Sequence, residues 1–240
     1  MNILLTGGSR GLGLAIAQQQ LELENSVFIV NRTVSSELSE LLTRYKERAV
    51  FVECDLTRSE SIKESVFDRH IGNEVPIHGF VSNAAIAYYE LVSNLDAELV
   101  ATMFQVNVFS PMVLTKLVIR NMLLHQTAGS MVHVSSICSR KGYKGLAMYA
   151  ATKGALESFS KNVAREWGAK GIRSNCVVPG FMETSMSSSL SESDRDKIFS
   201  RTALKCATSI ASVASTVAFL LSDASRSVTG QEFVVDTGTI

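Results

Sequence analysis

Asn2-Ile3-Leu4-Leu5-Thr6-Gly7-Gly8-Ser9-Arg10-Gly11-Leu12-Gly13-Leu14-Ala15-Ile16-Ala17 opens the chain. An apolar run stops at Thr6, glycines turn the chain, and a segment of helical period carrying Leu14, Ile16, Ala17 and Leu21 follows. Strand, glycine turn and helix in that order predict the first part of a βαβ unit. Further short apolar runs lie at residues 27–30, 50–54, 79–82, 130–135, 174–178 and 232–235, separated by longer segments. They are rich in Val and Ile and hardly alternate, as strands covered on both faces should be. The pattern predicts an α/β fold: a Rossmann-type, doubly wound, parallel seven-stranded sheet with helices on both faces. At 240 residues and 46% hydrophobic, the chain suits one domain over 1–240. Its halves are 1–130 and 131–240.

Lys plus Arg equals Asp plus Glu, so no net field draws the chain to phosphate backbones or anionic membranes. Nucleic acid is not an expected partner. Residues 99–115 are apolar and uncharged but include Gln105, Asn107 and Pro111, which argues against a membrane span. No targeting segment is read at the N-terminus, and Cys54, Cys138, Cys176 and Cys206 lack C-x-x-C spacing. A cytoplasmic protein with reduced thiols is expected. His70, His78, His125 and His133 lack ligand spacing, so no metal is expected.

The glycine turn has a chemical reading. Backbone N–H groups of such a turn can approach a pyrophosphate at a helix N-terminus, whose dipole favours negative charge. Gly7 would permit the turn, Gly11 the close approach and Gly13 the packing of helix on strand. The spacing is T-G-x-x-x-G-x-G rather than G-x-G-x-x-G, so alone the turn could serve chain geometry only. Dinucleotide type is read at the end of the second strand, where an acidic residue would bond a ribose 2′-hydroxyl. Here stand Asn31-Arg32-Thr33, and Arg10 can bring a second guanidinium, so NADP(H) is expected over NAD(H).

Tyr149 and Lys153 are four residues apart in a run of helix formers, which puts both on one helical face. A phenol titrates near 10, so acid–base work at neutral pH needs a fall of about three pKa units, roughly 4 kcal/mol. A nearby ammonium acts in that direction. On their own, a Tyr and a Lys so spaced are far more often a surface pair. Ser136, thirteen positions before Tyr149, closes the fifth strand and places a hydroxyl at the sheet edge where the crevice opens. Asn107 lies inside a helix-like run over 103–118, where an interior amide is disfavoured and invites a reason.

These residues together resemble the short-chain dehydrogenase/reductase family, most closely its 3-oxoacyl-acyl-carrier-protein reductases. The likeness runs from the glycine turn through Asp55-Leu56, Asn83-Ala84-Ala85, Asn107, Ser136, Tyr149 with Lys153, and Pro179-Gly180 with Thr184 to residues 235–238. It implies that Gly7, Ser9, Arg10, Gly11 and Leu12 contact the phosphates and adenosine end of NADP(H), with Asn31 and Arg32 nearby. Asp55 and Leu56 would meet the adenine, and Asn83, Ala84 and Ala85 a ribose. Pro179, Gly180, Met182 and Thr184 would line the nicotinamide end, with Lys153 on its ribose. The implied reaction is hydride transfer to a ketone carbon: Tyr149 gives the proton, Ser136 holds the carbonyl oxygen, and Asn107 anchors a water that links Lys153 to solvent.

Ala85 stands where the family usually has glycine, adding a methyl close to the cofactor. Carrier-protein reductases often present two arginines by the active-site entrance, and this chain has Thr127 and Lys170 at those positions. The resemblance implies a carrier-bound acyl substrate with an acyl-carrier protein as partner, and the two replaced arginines leave a free small ketone, sugar alcohol or sterol as the alternative. A dinucleotide sensor without catalysis would keep the turn but not all of Asn107, Ser136, Tyr149 and Lys153. Residues 181–205, with serines at 185 and 187–189, follow Pro179-Gly180 and lead into no strand, which suggests a lid over the crevice. The resemblance implies a homotetramer or homodimer, with the apolar segment 230–240 as a contact.

Overall fold

Seven strands form at the expected runs: β1 (Asn2–Thr6), β2 (Ser26–Asn31), β3 (Ala49–Glu53), β4 (Gly79–Ser82), β5 (Ser130–Val134), β6 (Arg173–Pro179) and β7 (Glu232–Val235). The structure is a computed structural model and describes residues 1–184 and 191–240. All pairings are parallel, in the order β3-β2-β1-β4-β5-β6-β7. Strand order reverses between β1 and β4, so the crevice of an open sheet opens above their C-terminal ends.

Because strand side chains alternate, neighbouring residues feed two different cores. Ile3, Leu5, Val27, Ile29, Val81 and Val132 pack with α1 (Gly11–Glu22), α2 (Ser36–Arg44) and α7 (Ile210–Leu221). Leu4, Phe28, Val30, Val52, Phe80 and Met131 pack with the opposite layer, which includes α4 (Ser110–Leu124) and α5 (Ala147–Trp167). Full coverage of both faces accounts for the nearly unbroken apolar runs.

The helix around Asn107 differs from the expected uniform run over 103–118. It spans Ala97–Leu124 as α3 (Ala97–Phe104), a π-helical turn (Gln105–Phe109) and α4. Pro111 supplies the reason: it has no N–H to offer the carbonyl of Asn107 four residues back, and its ring would collide with that carbonyl. Widening the turn relieves the collision. By length and composition Ala97–Leu124 could cross a bilayer. Within the protein, however, the Asn107 amide bonds Ile86 and Thr152, the Ser110 hydroxyl donates to the Leu56 carbonyl, and the Asn121 amide donates to the Val75 carbonyl. These bonds tie one side of the helix to its neighbours in the fold.

The excursion after β6 is closed at its base where the Thr208 N–H donates to the Phe181 carbonyl at 2.8 Å. It contains α6 (Glu192–Ser200), capped by the Ser191 hydroxyl, and Phe199 meets Phe181 with ring centroids 6.0 Å apart. Residues 185–190 of the expected lid lie outside the described residues. Beyond β7 the Asp236 carboxylate accepts the N–H groups of Gly238, Thr239 and Ile240, curling the tail against the far end of the excursion.

Candidate active site

The glycine turn is shaped by close approach. Gly7 (φ +74°) lies so near the end of β4 that a Cβ would sit 2.8 Å from Ala84 Cα and 2.9 Å from Asn83 Nδ2. A Cβ on Gly13 would fall 1.9 Å from the Gly7 carbonyl oxygen, so this residue sets how tightly α1 packs on the turn. Gly11 (φ +54°) faces Thr184, whose Cγ2 would be 3.6 Å from an added Cβ. The turn and the start of the excursion are thereby brought together. Among the described residues the N-cap residue Arg10 makes no side-chain cap bond, which suits the first turn of α1 to an anion. Leu12 turns its side chain into the core. An open glycine cradle beside that helix start fits a dinucleotide pyrophosphate.

At the adenosine end, Asn31 Nδ2 donates to Ser9 Oγ at 2.9 Å, while Asn31 Oδ1 is buried without a partner among the described residues and can accept from a ligand hydroxyl. Arg10 and Arg32 are exposed beside it. Each has an acidic neighbour: the Arg10 guanidinium helps hold Glu37 below the usual carboxylate range, after bonds from the Glu37 backbone and from Ser36 and Ser35. Arg32 does the same for Asp55, after the bond from the Thr57 N–H. Leu56 is buried. Ser35, not singled out from the sequence, bonds the Ser9 carbonyl and caps α2, linking the turn to the second βα connection.

Asn83 is more committed than expected. Its Nδ2 donates to the carbonyls of Thr6 and Gly7 at 3.1 and 3.0 Å, and the N–H groups of Asn83 and Ala84 both bond Thr6 Oγ1. Asn83 therefore ties β4 to the glycine turn, and its Oδ1 is what remains to meet a ribose. Ala85 follows, partly buried.

Ser136, Tyr149 and Lys153 gather at the C-terminal edge of β5. Ser136 has extended backbone, and its Oγ accepts the Cys138 N–H at 3.3 Å. Tyr149 and Lys153 share one face of α5, with Lys153 Nζ 5.6 Å from the Tyr149 ring centroid. Lys153 is 2% exposed and donates to the Val134 carbonyl at 2.9 Å. Burial lowers its pKa to about 8, against the pull of Cys176, Cys138 and Glu157. Asn107, 0% exposed, exchanges two bonds with the Ile86 backbone and donates to Thr152 Oγ1 at 3.1 Å. Thr152 in turn donates to the Tyr149 carbonyl. Both amide N–H groups of Asn107 are thus engaged.

The expected downward pull on Tyr149 is not what the protein alone provides. Burial raises the phenol pKa, and the nearby Cys138 thiol and Tyr89 raise it further. The physical reason is geometric: Lys153 Nζ bonds the Val134 carbonyl, and the ring is largely desolvated. Cys138, two residues past Ser136, was not singled out, although its thiol is near enough to raise Tyr149, Tyr89 and Tyr143.

On the nicotinamide side, Pro179 is buried and pairs with Val235, and the Gly180 N–H bonds the Val235 carbonyl. A Cβ on Gly180 would lie 2.5 Å from Thr208 Oγ1, so the base of the excursion requires glycine there. Met182 packs on the α1/α7 core. Thr127 and Lys170 lie at the edge of the sheet where β5 and β6 begin, whereas Ser136 and Gly180 follow those strands.

A family model described as Enoyl-(Acyl carrier protein) reductase matches residues 7–239. The 3-oxoacyl-acyl-carrier-protein reductase FabG of Chlamydia pneumoniae is 32% identical, the match covering 98% of this chain and 95% of that one. The L-xylulose reductase of Caenorhabditis elegans is 31% identical, covering 98% and 94%. A solved structure described as a short chain dehydrogenase/reductase family protein superimposes with a TM-score of 0.87 at 28% identity, over 99% of this chain and 96% of the other.

Proposed function

Since this chain belongs to the short-chain dehydrogenase/reductase family, we propose that it is an NADP(H)-dependent carbonyl reductase whose substrate is a 3-oxoacyl thioester. The observation that carries this reading is the convergence of Ser136, Tyr149 and Lys153 beside a glycine-lined helix N-terminus. The dinucleotide, when bound, supplies the hydride that reduces the carbonyl carbon. Ser136 holds the carbonyl oxygen, and Tyr149 gives it a proton as negative charge develops there. The Lys153 ammonium holds the nicotinamide ribose and stabilises the phenolate left behind. Water on Asn107 returns the proton. Arg10 and Arg32, with no carboxylate at positions 31–33, favour the 2′-phosphate.

Support for an acyl chain comes from the strip beside the site, where Ile86, Tyr89, Leu91 and Val92 are 40, 57, 42 and 60% exposed. The Glu90 N–H bonds the Gly145 carbonyl and so holds this strip against the approach to α5. Delivery by an acyl-carrier protein, a homotetramer or homodimer and a cytoplasmic location belong to the same proposal. A free sugar or ketone is the second reading, favoured by Thr127 and Lys170 in place of two arginines and by the likeness to an L-xylulose reductase. NADPH oxidation with 3-oxoacyl-carrier-protein, 3-oxoacyl-coenzyme A and free-ketone substrates tests both readings. A kcat/KM highest for a thioester supports the first, and one highest for a sugar ketone replaces it. No turnover of any carbonyl overturns both.

A further inference from the structure

Behind the reacting groups lies a buried acidic side chain that the reaction as written does not use. Glu157 stands one helical turn beyond Lys153 on α5, on the same face, and is 9% exposed. Its Oε1 accepts from Ser135 Oγ and from Ser139 Oγ, each at 2.6 Å. Those serines bracket Ser136, and Ser139 Oγ also lies 2.6 Å from the Ser136 carbonyl oxygen. Arg140 Nε approaches the same Oε1 to 4.0 Å, and its guanidinium pairs with Glu232, which Lys161 also meets at 2.6 Å. A buried carboxylate is destabilising unless it is paired and hydrogen-bonded, so this concentration of donors calls for a reason.

We infer that Glu157 is a positioning residue: it clamps the Ser136 segment to α5 and supplies the counter-charge that keeps the Lys153 ammonium in place. This rests on the roles assigned above to Ser136 and Lys153. The groups facing Lys153 are His133 and the Val134 carbonyl on β5, Cys138 after it, Cys176 on β6, and Tyr149 and Glu157 on α5. Burial raises both thiols, Cys176 to about 12, so at neutral pH they are uncharged. Burial likewise keeps His133 and Tyr149 neutral. Among these groups, Glu157 is the carboxylate that can balance the ammonium. It acts on both reacting elements at once, because the helix bearing Tyr149 and Lys153 and the turn bearing Ser136 are joined through its single oxygen.

Glu157→Gln keeps an acceptor for the two serines and removes the charge, whereas Glu157→Ala removes both. The readouts are kcat against pH, NADPH binding against pH by nucleotide fluorescence, and amide hydrogen exchange over residues 135–146. For Glu157→Gln, the alkaline limit of NADPH binding should move down by on the order of one pH unit as Lys153 loses its counter-charge, with exchange near wild type. For Glu157→Ala, the same displacement should appear with faster exchange over 135–146 and kcat about a hundredfold lower, as a misplaced reacting group implies. If Glu157→Ala does not fold, Ser135→Ala/Ser139→Ala removes the same two bonds, and faster exchange with an unmoved alkaline limit is then expected. Wild-type pH dependence in Glu157→Gln together with wild-type exchange in the alanine variants overturns the inference. Failure of the proposed function would show separately, as a wild-type protein that reduces no carbonyl, and the exchange measurement would still judge the clamp.

Discussion

Replacing Lys153 by Met should stabilise the folded protein at pH 7 while destroying its activity. The ammonium is 2% exposed, and burial lowers its pKa from 10.5 to about 8. Between those values the unfolded chain binds the proton that the folded chain has released, so wild-type stability rises with pH across this window and levels off above it. At 1.36 kcal/mol per pKa unit, holding the charged lysine below pH 8 costs about 3 kcal/mol relative to a neutral side chain there. Met has a similar reach and carries no charge. It also abandons the Val134 carbonyl, now bonded at 2.9 Å, and an unsatisfied buried acceptor costs about 1–3 kcal/mol. The expected balance at pH 7 is a gain of between roughly 0 and 2 kcal/mol, up to about 8 °C in Tm for a chain of this size. That gain should shrink by about 3 kcal/mol as pH rises to 10.5, reversing its sign. Urea unfolding of both proteins at pH 7, 8, 9 and 10.5 measures this, because titration of the other lysines, tyrosines and thiols cancels in the difference. A difference independent of pH would refute the reasoning.

Tyr149→Phe should lower kcat by about 10²–10⁴, the usual contribution of a positioned proton donor, with NADPH affinity within a few-fold of wild type; activity within a few-fold of wild type would sink the assignment. Arg10→Ala/Arg32→Ala should erase most of a preference for NADPH over NADH. Charge-assisted bonds contribute about 1.5–3 kcal/mol each, but both side chains are exposed and each has an acidic neighbour. The preference should therefore be about tenfold to a hundredfold in kcat/KM and should weaken in high salt; a wild type that prefers NADH contradicts it. His133 lies 0% exposed between Phe80 and Phe159, its ring nitrogens without a hydrogen-bond partner among the described residues, and burial lowers its pKa to about 4. Its neutral form therefore contributes fully above pH 6.5, and stability should fall by about 3 kcal/mol as pH drops from 6.5 to 4. His133→Leu should lack that loss in melts at pH 7 and 4.5, and an equal loss in both proteins would be decisive against it.

What the sequence determined by itself is what local pattern can carry. Apolar runs mark strands, glycines mark the turn that only they can make, and a four-residue spacing puts Tyr149 and Lys153 on one helical face. Each depends on residues within a turn or two of one another, so the strands and the pairing of Tyr149 with Lys153 were legible locally, while the joining of Ser136 to them was implied by the resemblance and not by spacing. Pro111 was visible too, and its collision with the Asn107 carbonyl was a readable signal for the π-helical turn. Tertiary structure decided the rest, because burial and pairing arise between elements far apart in the chain. It committed the Asn83 amide to Thr6 and Gly7, and it put Thr127 and Lys170 on the far edge of the sheet. Desolvation, set by packing rather than by neighbours in sequence, moved Tyr149 upward although a lysine lies four residues away. Glu157 shows the difference most plainly: its meaning lies in two serine hydroxyls 18 and 22 positions back, which only the packing of α5 on β5 brings within 2.6 Å.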